Sequence, residues 1–171
     1  RIGALGVGIN LLPHAVRELD ALGLLPALEA ESVAPATVAY FTKRGEPIWD
    51  EPRGREAGYA WPQLSIHRGT LQRILLEAAT ARLGAEHIHT GRHLVGVDQD
   101  DDDVVSTFAD DRGTGARTEV RGSVLVAADG IHSVMRSIRY PDEGMPKWNG
   151  AMLWRGVAEA PPVLGGRTMV W

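Results

Sequence analysis

The sequence contains no cysteine, which excludes disulfides, thiolate metal sites and cysteine nucleophiles. No signal peptide is visible in this sequence, and no apolar stretch in it approaches the roughly 18 residues that a membrane span requires. Its 18 Lys and Arg residues are outnumbered by 22 Asp and Glu residues, so it lacks the basic surface that nucleic-acid binding needs. We therefore expect a soluble, cytoplasmic protein that binds neither membranes nor nucleic acid. Its oligomeric state is not indicated by the sequence.

The length of 171 residues, 44% of them hydrophobic, suffices for one domain and part of a second. The sequence begins at Arg1 without a methionine, and it ends at Val170 and Trp171 in a stretch with strand character. We therefore expect a fragment of a longer protein.

The first 62 residues are predicted to contain an extended segment, one helix, a hairpin of two strands and a loop. A glycine-bearing extended segment, Leu5–Asn10, precedes a helix that Pro13 opens and Gly23 ends, the usual positions of these two residue types. Strand character follows over Ala36–Thr42, a hairpin turn at Lys43–Glu46 leads into Pro47–Trp49, and a loop is predicted over Asp50–Pro62.

The second half begins with the most regular helix, which starts near Thr70 and stops at Gly84. Its apolar stripe consists of Leu71, Ile74, Leu75, Ala78 and Ala79. Three strands of an antiparallel meander are then predicted over Ile88–Asp98, Val104–Ala109 and Ala116–Val120, with Asp98–Asp103 and Asp110–Gly115 as separators. The acidic first separator lacks the glycine and distal glutamate of a calcium loop, so we interpret it as a solvated hairpin turn.

The segment Ser123–Arg136 is the most informative one. Its apolar run, interpreted as a strand, stops at Asp129 and Gly130, and a helix follows from about Ser133. Ligands of open α/β sheets bind outside the carboxyl ends of strands, so Asp129 could hold a polyhydroxylated or phosphorylated cofactor, which Gly130 would let approach the backbone. The alternative is an ordinary buried strand followed by a capped helix. A further strand is predicted over Ala151–Val157.

Three motifs occur in a distinctive order. They are Gly6–Val16 with Leu19 and Leu22–Leu24, then Ser65–Leu71, and then Ala128–Ser133 with Arg136. Together they resemble the FAD-binding domain of the single-component aromatic hydroxylases, the p-hydroxybenzoate hydroxylase-like flavoprotein monooxygenases. The resemblance implies an α/β fold: a partial FAD-binding, glutathione-reductase-like domain with an antiparallel meander (1–35 and 65–140) and part of a β-rich substrate domain (36–64 and 141–171).

The likeness covers essentially the whole chain and is greatest to the phenazine hydroxylases. This narrower resemblance is carried by Glu51–Gly54, Glu56–Gly58, Ser65–Gly69 and Trp154–Val157. The family's N-terminal G-x-G-x-x-G and its ribose-binding acidic residue would precede Arg1, and its second Gly-Asp motif would follow Trp171. The resemblance thus implies that major FAD contacts lie outside this sequence.

The resemblance also implies which residues contact the cofactor. Arg68 would contact FAD near its ribityl-phosphate portion, and its place before a predicted helix N-terminus suits a pyrophosphate. Asp129, next to Gly130, would accept hydrogen bonds from ribityl hydroxyls. Leu94 would hold adenine through backbone groups.

Two further cofactor assignments have alternatives. Gly6, Val7 and Gly8 would pass close to the flavin, where bulky side chains would collide with it, although strand packing explains small residues equally well. Arg136 would neutralise the diphosphate or would instead brace its loop through an ion pair, and we favour the bracing role slightly.

By the same resemblance, the intact protein would be an NAD(P)H-dependent FAD monooxygenase that hydroxylates an aromatic compound, with phenazines among the candidates. Reduced flavin would react with oxygen to give a flavin hydroperoxide, and no catalytic general base is needed or identified. A flat, carboxylated substrate would be contacted by Tyr40, Trp49, Trp61, Trp154 and Arg155. Two alternatives stay open: another oxidation, such as epoxidation or Baeyer–Villiger chemistry, and a truncated, non-catalytic domain that binds an aromatic ligand.

The histidines raise two further possibilities, a catalytic role and zinc binding. His67 and His132 adjoin motifs but have no identifiable carboxylate partner, so we interpret them as packing or hydrogen-bonding residues. His87, His89 and His93 are separated by even numbers of residues and would share one face of a strand, where three imidazoles can bind zinc. We favour a solvent-facing strand surface without metal.

Overall fold

The computed structural model describes residues 6–110 and 114–171. Its elements are, in chain order, β1 (Gly8–Leu11), α1 (Pro13–Ala21), α2 (Leu25–Ala30), β2 (Ser32–Val33), β3 (Thr37–Phe41), β4 (Pro47–Pro52), β5 (Leu64–His67), α3 (Arg68–Leu83), β6 (Arg92–Gln99), β7 (Val104–Asp110), β8 (Arg117–Gly122), α4 (Val134–Arg139) and β9 (Thr168–Val170). The start of the predicted segment Leu5–Asn10 and the centre of the separator Asp110–Gly115 lie outside the described residues.

The described chain forms two compact units. His89–Leu153 is the meander unit, and Trp154–Trp171 together with the chain up to Ile88 is the strand-helix unit. The two domains that the sequence predicts are divided at other positions, and that division stays a prediction.

The first helix begins and ends as predicted. Pro13 lies in the first turn of α1, and Gly23 follows the helix with φ of +71°, a conformation that suits glycine. The short helix α2 comes directly afterwards and was not predicted, because six residues are too few to show helical periodicity. Its Leu28 is fully buried.

The core of the strand-helix unit lies between α1, α2, α3 and a three-stranded sheet. In this sheet β5 is central and runs antiparallel to both β1 and β2. Leu64 and Ile66 alternate along β5 and are 0% and 2% exposed. The buried core consists of Leu11, Val16, Leu24, Leu28, Leu64, Ile66 and Ile74.

Helix α3 spans 16 residues and stops at Gly84, as predicted. It begins earlier than the predicted Thr70, because the His67 side chain caps its N-terminus. Ile74 is buried and Leu71 and Ala78 pack on the core, but Leu75 is 38% exposed, so the predicted apolar stripe is only partly correct. Within the described ranges, no helix has the length and apolar character required to cross a bilayer.

The second sheet of this unit contains the predicted hairpin of β3 and β4. The Thr42 N–H closes its turn by donating to the Glu46 carbonyl at 2.8 Å. Because β4 continues to Pro52 and a 3₁₀ turn occupies Gly54–Ala57, the predicted loop over Asp50–Pro62 is wrong in part. On its other side β3 pairs in parallel with β9.

The predicted strand over Ala151–Val157 is wrong. That stretch is irregular, and Trp154 is 90% exposed. Its apolar composition suggested a strand, but within residues 6–110 and 114–171 no backbone pairs with it. The place beside β3 is occupied by the later strand β9.

The predicted meander is confirmed. Strands β6, β7 and β8 pair antiparallel in this order. The acidic run forms the turn between β6 and β7, where the Asp100 carboxylate accepts hydrogen bonds from the N–H groups of Asp102 and Asp103 at 3.0 and 2.8 Å. These bonds hold the pKa of Asp100 below the usual aspartate value.

The segment after the meander differs from its prediction. Residues 123–130 are irregular rather than a strand, with Val124 and Val126 76% and 80% exposed. Apolar residues favour a strand only where a neighbouring backbone offers hydrogen bonds, and no described residue pairs with this stretch. The helix expected from about Ser133 is present as α4, with Ser133 as its cap.

Candidate functional site

Strand pairing brings three of the predicted cofactor residues, Gly6, Val7 and Gly8, next to a fourth, Arg68. In the register of β1 and β5, Gly8 lies opposite His67. The Arg68 N–H extends this pairing by donating to the Val7 carbonyl at 3.0 Å. Segments distant in the sequence thus meet where α3 begins.

Gly6 and Arg68 are in close contact. Gly6 has φ of +117°, and a Cβ atom placed on it would lie 2.7 Å from Arg68 Nε and 3.0 Å from one terminal guanidinium nitrogen. The guanidinium therefore lies against the bare backbone of Gly6, and both the conformation and the contact favour glycine at this position.

The Arg68 guanidinium is a free cation within residues 6–110 and 114–171, where it has neither an ion pair nor a side-chain hydrogen bond. Arg73, on the same helix, is instead paired with Glu31 and Glu77. Arg68 is exposed and is the first residue of a long helix, whose N-terminus carries a partial positive charge. An exposed cation next to that terminus suits an anionic ligand.

His67 holds this junction together. Its Nδ1 accepts a hydrogen bond from the Gly69 N–H at 3.2 Å, and its Nε2 lies 2.9 Å from the Gly6 carbonyl oxygen. The interpretation of His67 as a hydrogen-bonding residue is therefore confirmed.

Asp129 caps α4 in the meander unit. Its Oδ2 accepts hydrogen bonds from the N–H groups of Val134 at 2.8 Å and Met135 at 3.3 Å. The pKa of Asp129 lies below the usual aspartate value, chiefly because the Ser133 hydroxyl donates to the carboxylate and also because of these backbone donors. The carboxylate is exposed and stays ionised at neutral pH. Its contact with ribityl hydroxyls stays a prediction.

Asp129 and Leu94, both predicted to contact the cofactor, line one cleft of the meander unit. The cleft has a volume of about 500 Å³, and its floor includes Phe108 and the apolar residues 125–128. Gly130 adjoins it with φ of +78°. Among the described residues, apart from its two chain neighbours, no atom lies within 4 Å of the position of a Cβ on Gly130, so backbone conformation rather than crowding favours glycine there.

Arg136 is engaged within its own unit. Its guanidinium donates to the Ile131 carbonyl and forms an ion pair with Glu143 at 3.2 Å. The structure thus shows the bracing arrangement, whereas contact with a diphosphate stays a prediction.

The residues predicted to contact substrate fall into three groups. Tyr40 and Trp49 stack across β3 and β4, with ring centroids 5.6 Å apart and an interplanar angle of 28°. Trp61 is partly buried, and its indole N–H donates to Asp20 at 2.9 Å. Trp154 and Arg155 lie in an exposed, irregular stretch. Their binding of a substrate stays a prediction.

A cavity beside Trp61 includes residues that the sequence interpretation missed. It has a volume of about 600 Å³, and Tyr59, Arg53 and Gln63 contribute to its walls. Arg53 is paired with Glu51, and Gln63 is only 3% exposed. A tyrosine, a tryptophan and an arginine close together in the Pro- and Gly-rich segment 50–62 were the available signal.

The three candidate zinc ligands do not share a strand. His87 lies in a 3₁₀ turn and His89 in a loop, and only His93 lies on β6. The premise of one common strand face is therefore wrong. Among the residues that the structure describes, no three His, Asp or Glu side chains are grouped so that they could hold a metal ion.

Comparison with known proteins identifies the family. Residues 8–154 match the family described as FAD binding domain, so the chain belongs to the FAD-binding-domain family. It is 39% identical over 173 residues to phenazine 1,6-dicarboxylic acid hydroxylase of Lysobacter antibioticus, covering 99% of this chain and 42% of that protein. It is 36% identical to 3-amino-4-hydroxybenzoate 2-monooxygenase of Streptomyces cremeus, covering 94% of this chain and 38% of that protein.

The fold is similar to that of a solved monooxygenase structure. The crystal structure of p-nitrophenol 4-monooxygenase from Pseudomonas putida matches 80% of this chain and 33% of its own, with a TM-score of 0.67 and 21% identity. The expected α/β fold and the resemblance to the FAD-dependent aromatic hydroxylases are confirmed. The chain spans about two-fifths of the length of the curated relatives it matches.

Proposed function

We propose that the protein to which this chain belongs is an NAD(P)H-dependent FAD monooxygenase that hydroxylates an aromatic, phenazine-type substrate. Its family membership supports FAD as the cofactor. Two relatives are named as a hydroxylase of a phenazine dicarboxylic acid and a monooxygenase of an aminohydroxybenzoate, which supports an aromatic carboxylate as the substrate class.

The observation that carries this proposal is the junction of Gly6, Arg68 and α3. An exposed, unpaired guanidinium lies against a bare backbone at a helix N-terminus. Backbone without side chains lets a flat or extended ligand approach closely, and the cation with the helix terminus attracts phosphate oxygens. The residues present therefore fit the diphosphate and ribityl portion of FAD, which Arg68 would hold.

Other residues of the chain would hold the remaining parts of the cofactor. Asp129 would accept hydrogen bonds from ribityl hydroxyls through lone pairs that its bonds to α4 leave available, because an ionised carboxylate offers about four acceptor sites. Backbone groups of Leu94, in the same cleft, would bind adenine. Gly6, Val7 and Gly8 would lie near the flavin ring.

When bound, reduced flavin supplies the oxygen-activating chemistry. The residues of this chain would bind and orient the cofactor. Arg68 would neutralise negative charge of the diphosphate, and the glycines would admit the flavin ring. Nicotinamide would enter only as a soluble source of hydride.

Substrate recognition would use the aromatic residues of the strand-helix unit. Tyr40 and Trp49 present a stacked pair, and Trp61 is held by Asp20 beside the cavity of about 600 Å³, a volume suited to a small polycyclic ligand. Arg155 would pair with a substrate carboxylate, and Trp154 would cover an aromatic face.

The test uses the full-length protein with NADH or NADPH and a phenazine carboxylate. We expect bound FAD with its absorbance bands, reductant-dependent oxygen consumption, and a product that carries one ring hydroxyl labelled from isotopically heavy oxygen. An epoxide or a ring-expanded ester would instead identify one of the alternative oxidations. A colourless protein that takes up no added FAD would contradict the proposal.

A further inference from the structure

The His67 side chain forms hydrogen bonds to both sides of the Gly6–Arg68 junction. Its ring reaches the Gly6 carbonyl through Nε2 at 2.9 Å and the Gly69 N–H through Nδ1 at 3.2 Å. Gly6 precedes β1, and Gly69 lies in the first turn of α3. One imidazole thus links two segments that are far apart in the sequence.

The partners determine the protonation of this ring. A backbone N–H can only donate, so Nδ1 must be the unprotonated acceptor for Gly69. A carbonyl can only accept, so Nε2 must carry the hydrogen that is donated to Gly6. Both bonds require the neutral imidazole with its proton on Nε2. In a doubly protonated ring, an N–H on Nδ1 would oppose the N–H of Gly69.

The position of Gly6 in turn limits Arg68. The guanidinium lies so close to Gly6 that an added Cβ would be 2.7 Å from Nε. Within residues 6–110 and 114–171 the guanidinium has no ion pair or side-chain hydrogen bond, and the Gly6 backbone limits the directions that it can take. A side chain that fixes the Gly6 backbone therefore also restricts the direction of the Arg68 side chain.

We propose that His67 is a positioning residue for the cofactor: its neutral imidazole fixes the Gly6 backbone, against which Arg68 is held for the diphosphate of FAD. This inference rests on the proposed function. A helix cap alone does not need an imidazole, because Ser, Thr, Asp and Asn are the preferred caps. The two ring nitrogens allow one side chain to cap α3 and hold Gly6 at the same time.

Two substitutions separate these roles. His67→Asn keeps an acceptor near the position of Nδ1, so it preserves the cap but loses the bond to Gly6. His67→Gln places its amide N–H near the position of Nε2, so it preserves the bond to Gly6 but loses the cap. For each variant of the full-length protein, the dissociation constant for FAD and the melting temperature of the apoprotein are measured.

The expected pattern is reciprocal. His67→Asn should bind FAD roughly fivefold more weakly, the effect of one lost hydrogen bond, with little change in melting temperature. His67→Gln should melt at a lower temperature and bind FAD nearly as well as the wild type. A merely structural histidine would lower both properties together in both variants.

A double-mutant cycle tests whether His67 acts through Arg68. In an Arg68→Met background, His67→Asn should weaken FAD binding no further, because the residue that it positions is absent. If His67→Asn weakened FAD binding by the same factor with arginine and with methionine at position 68, the inference would be overturned and the proposed function would stay intact. Wild-type FAD affinity in His67→Asn would have the same consequence. A wild-type protein that binds no FAD would overturn both.

Gly6→Ala is an independent route if His67→Asn fails to fold. The added methyl group would displace the guanidinium and would also approach the flavin, so FAD binding should weaken, and the part of this loss that disappears when Arg68 is methionine measures the effect on Arg68. Unchanged FAD affinity in Gly6→Ala would contradict the positioning role.

Discussion

Arg68 carries the charge that, under the proposed function, would attract the phosphates of FAD. Arg68→Met removes a cation that would make charge-assisted hydrogen bonds to phosphate, so we expect FAD binding to weaken by about tenfold or more. Arg73→Met is the matched control, because Arg73 lies on the same helix and is already paired with Glu31 and Glu77. Equilibrium titration of the full-length protein with FAD measures both, and equal affinities for the two variants would contradict the assignment.

Asp129 should titrate at an unusually low pH. Its folded-state pKa is depressed, chiefly by the Ser133 hydroxyl, so its support for α4 is fully present above the usual aspartate pKa and is lost only as pH falls through the depressed value. Acid titration followed by NMR should show the Val134 and Met135 amide signals moving with a midpoint below that of ordinary aspartates. A midpoint at or above the ordinary value would contradict this capping role.

Single residues were easier to predict than their contacts. Arg68 and the segment Gly6–Gly8 could be singled out from motifs, and strand pairing brings them together. The hydrogen bonds of Asp129 to α4 and of His67 to Gly6 could not be predicted from the sequence. Hydrogen-bond partners depend on the angles between segments, and sequence spacing does not specify these angles.

The central strand β5 supports the sheet of the strand-helix unit. Leu64→Ala should lower the free energy of unfolding by about 2–5 kcal/mol, because the Leu64 side chain is fully buried and its truncation leaves a cavity in the core. Leu75→Ala is the control on α3, where the leucine is 38% exposed and should cost far less. Chemical denaturation measures both, and comparable losses would show that the core is centred elsewhere.

At the scale of elements, predictions succeeded where local signals were strong and failed where partners were needed. Pro13, Gly23 and Gly84 mark helix ends through their own backbone preferences, and the meander turns follow from polar separators. The segments 123–128 and Ala151–Val157 are apolar enough for strands, but pairing decides whether a strand forms. The strand character predicted for the stretch that ends at Val170 and Trp171 is confirmed by β9 as far as Val170, but its place beside β3 comes from tertiary pairing and could not be predicted.

For the whole molecule, the proposed function predicts that FAD protects both predicted cofactor motifs, the one at Arg68 and the one at Asp129. Hydrogen exchange of the full-length protein should slow on FAD addition in peptides covering Ile66–Thr70 and also in those covering Asp129–Arg136. A peptide over Glu56–Tyr59, which includes neither motif, serves as the comparison. Slowing at only one of the two motifs would contradict the cofactor role of the other.

The division into units reflects how far apart paired segments lie in the chain. The hairpins of β6, β7 and β8 join neighbours, whereas β1 must find β5 across α1, α2 and an intervening sheet. Because closing a longer loop costs more entropy, local hairpins form sooner during folding than distant pairings. The junction of Gly6 with Arg68 exists only once β1 has docked, so competence to take up the cofactor should arise late in folding, after the meander has already formed.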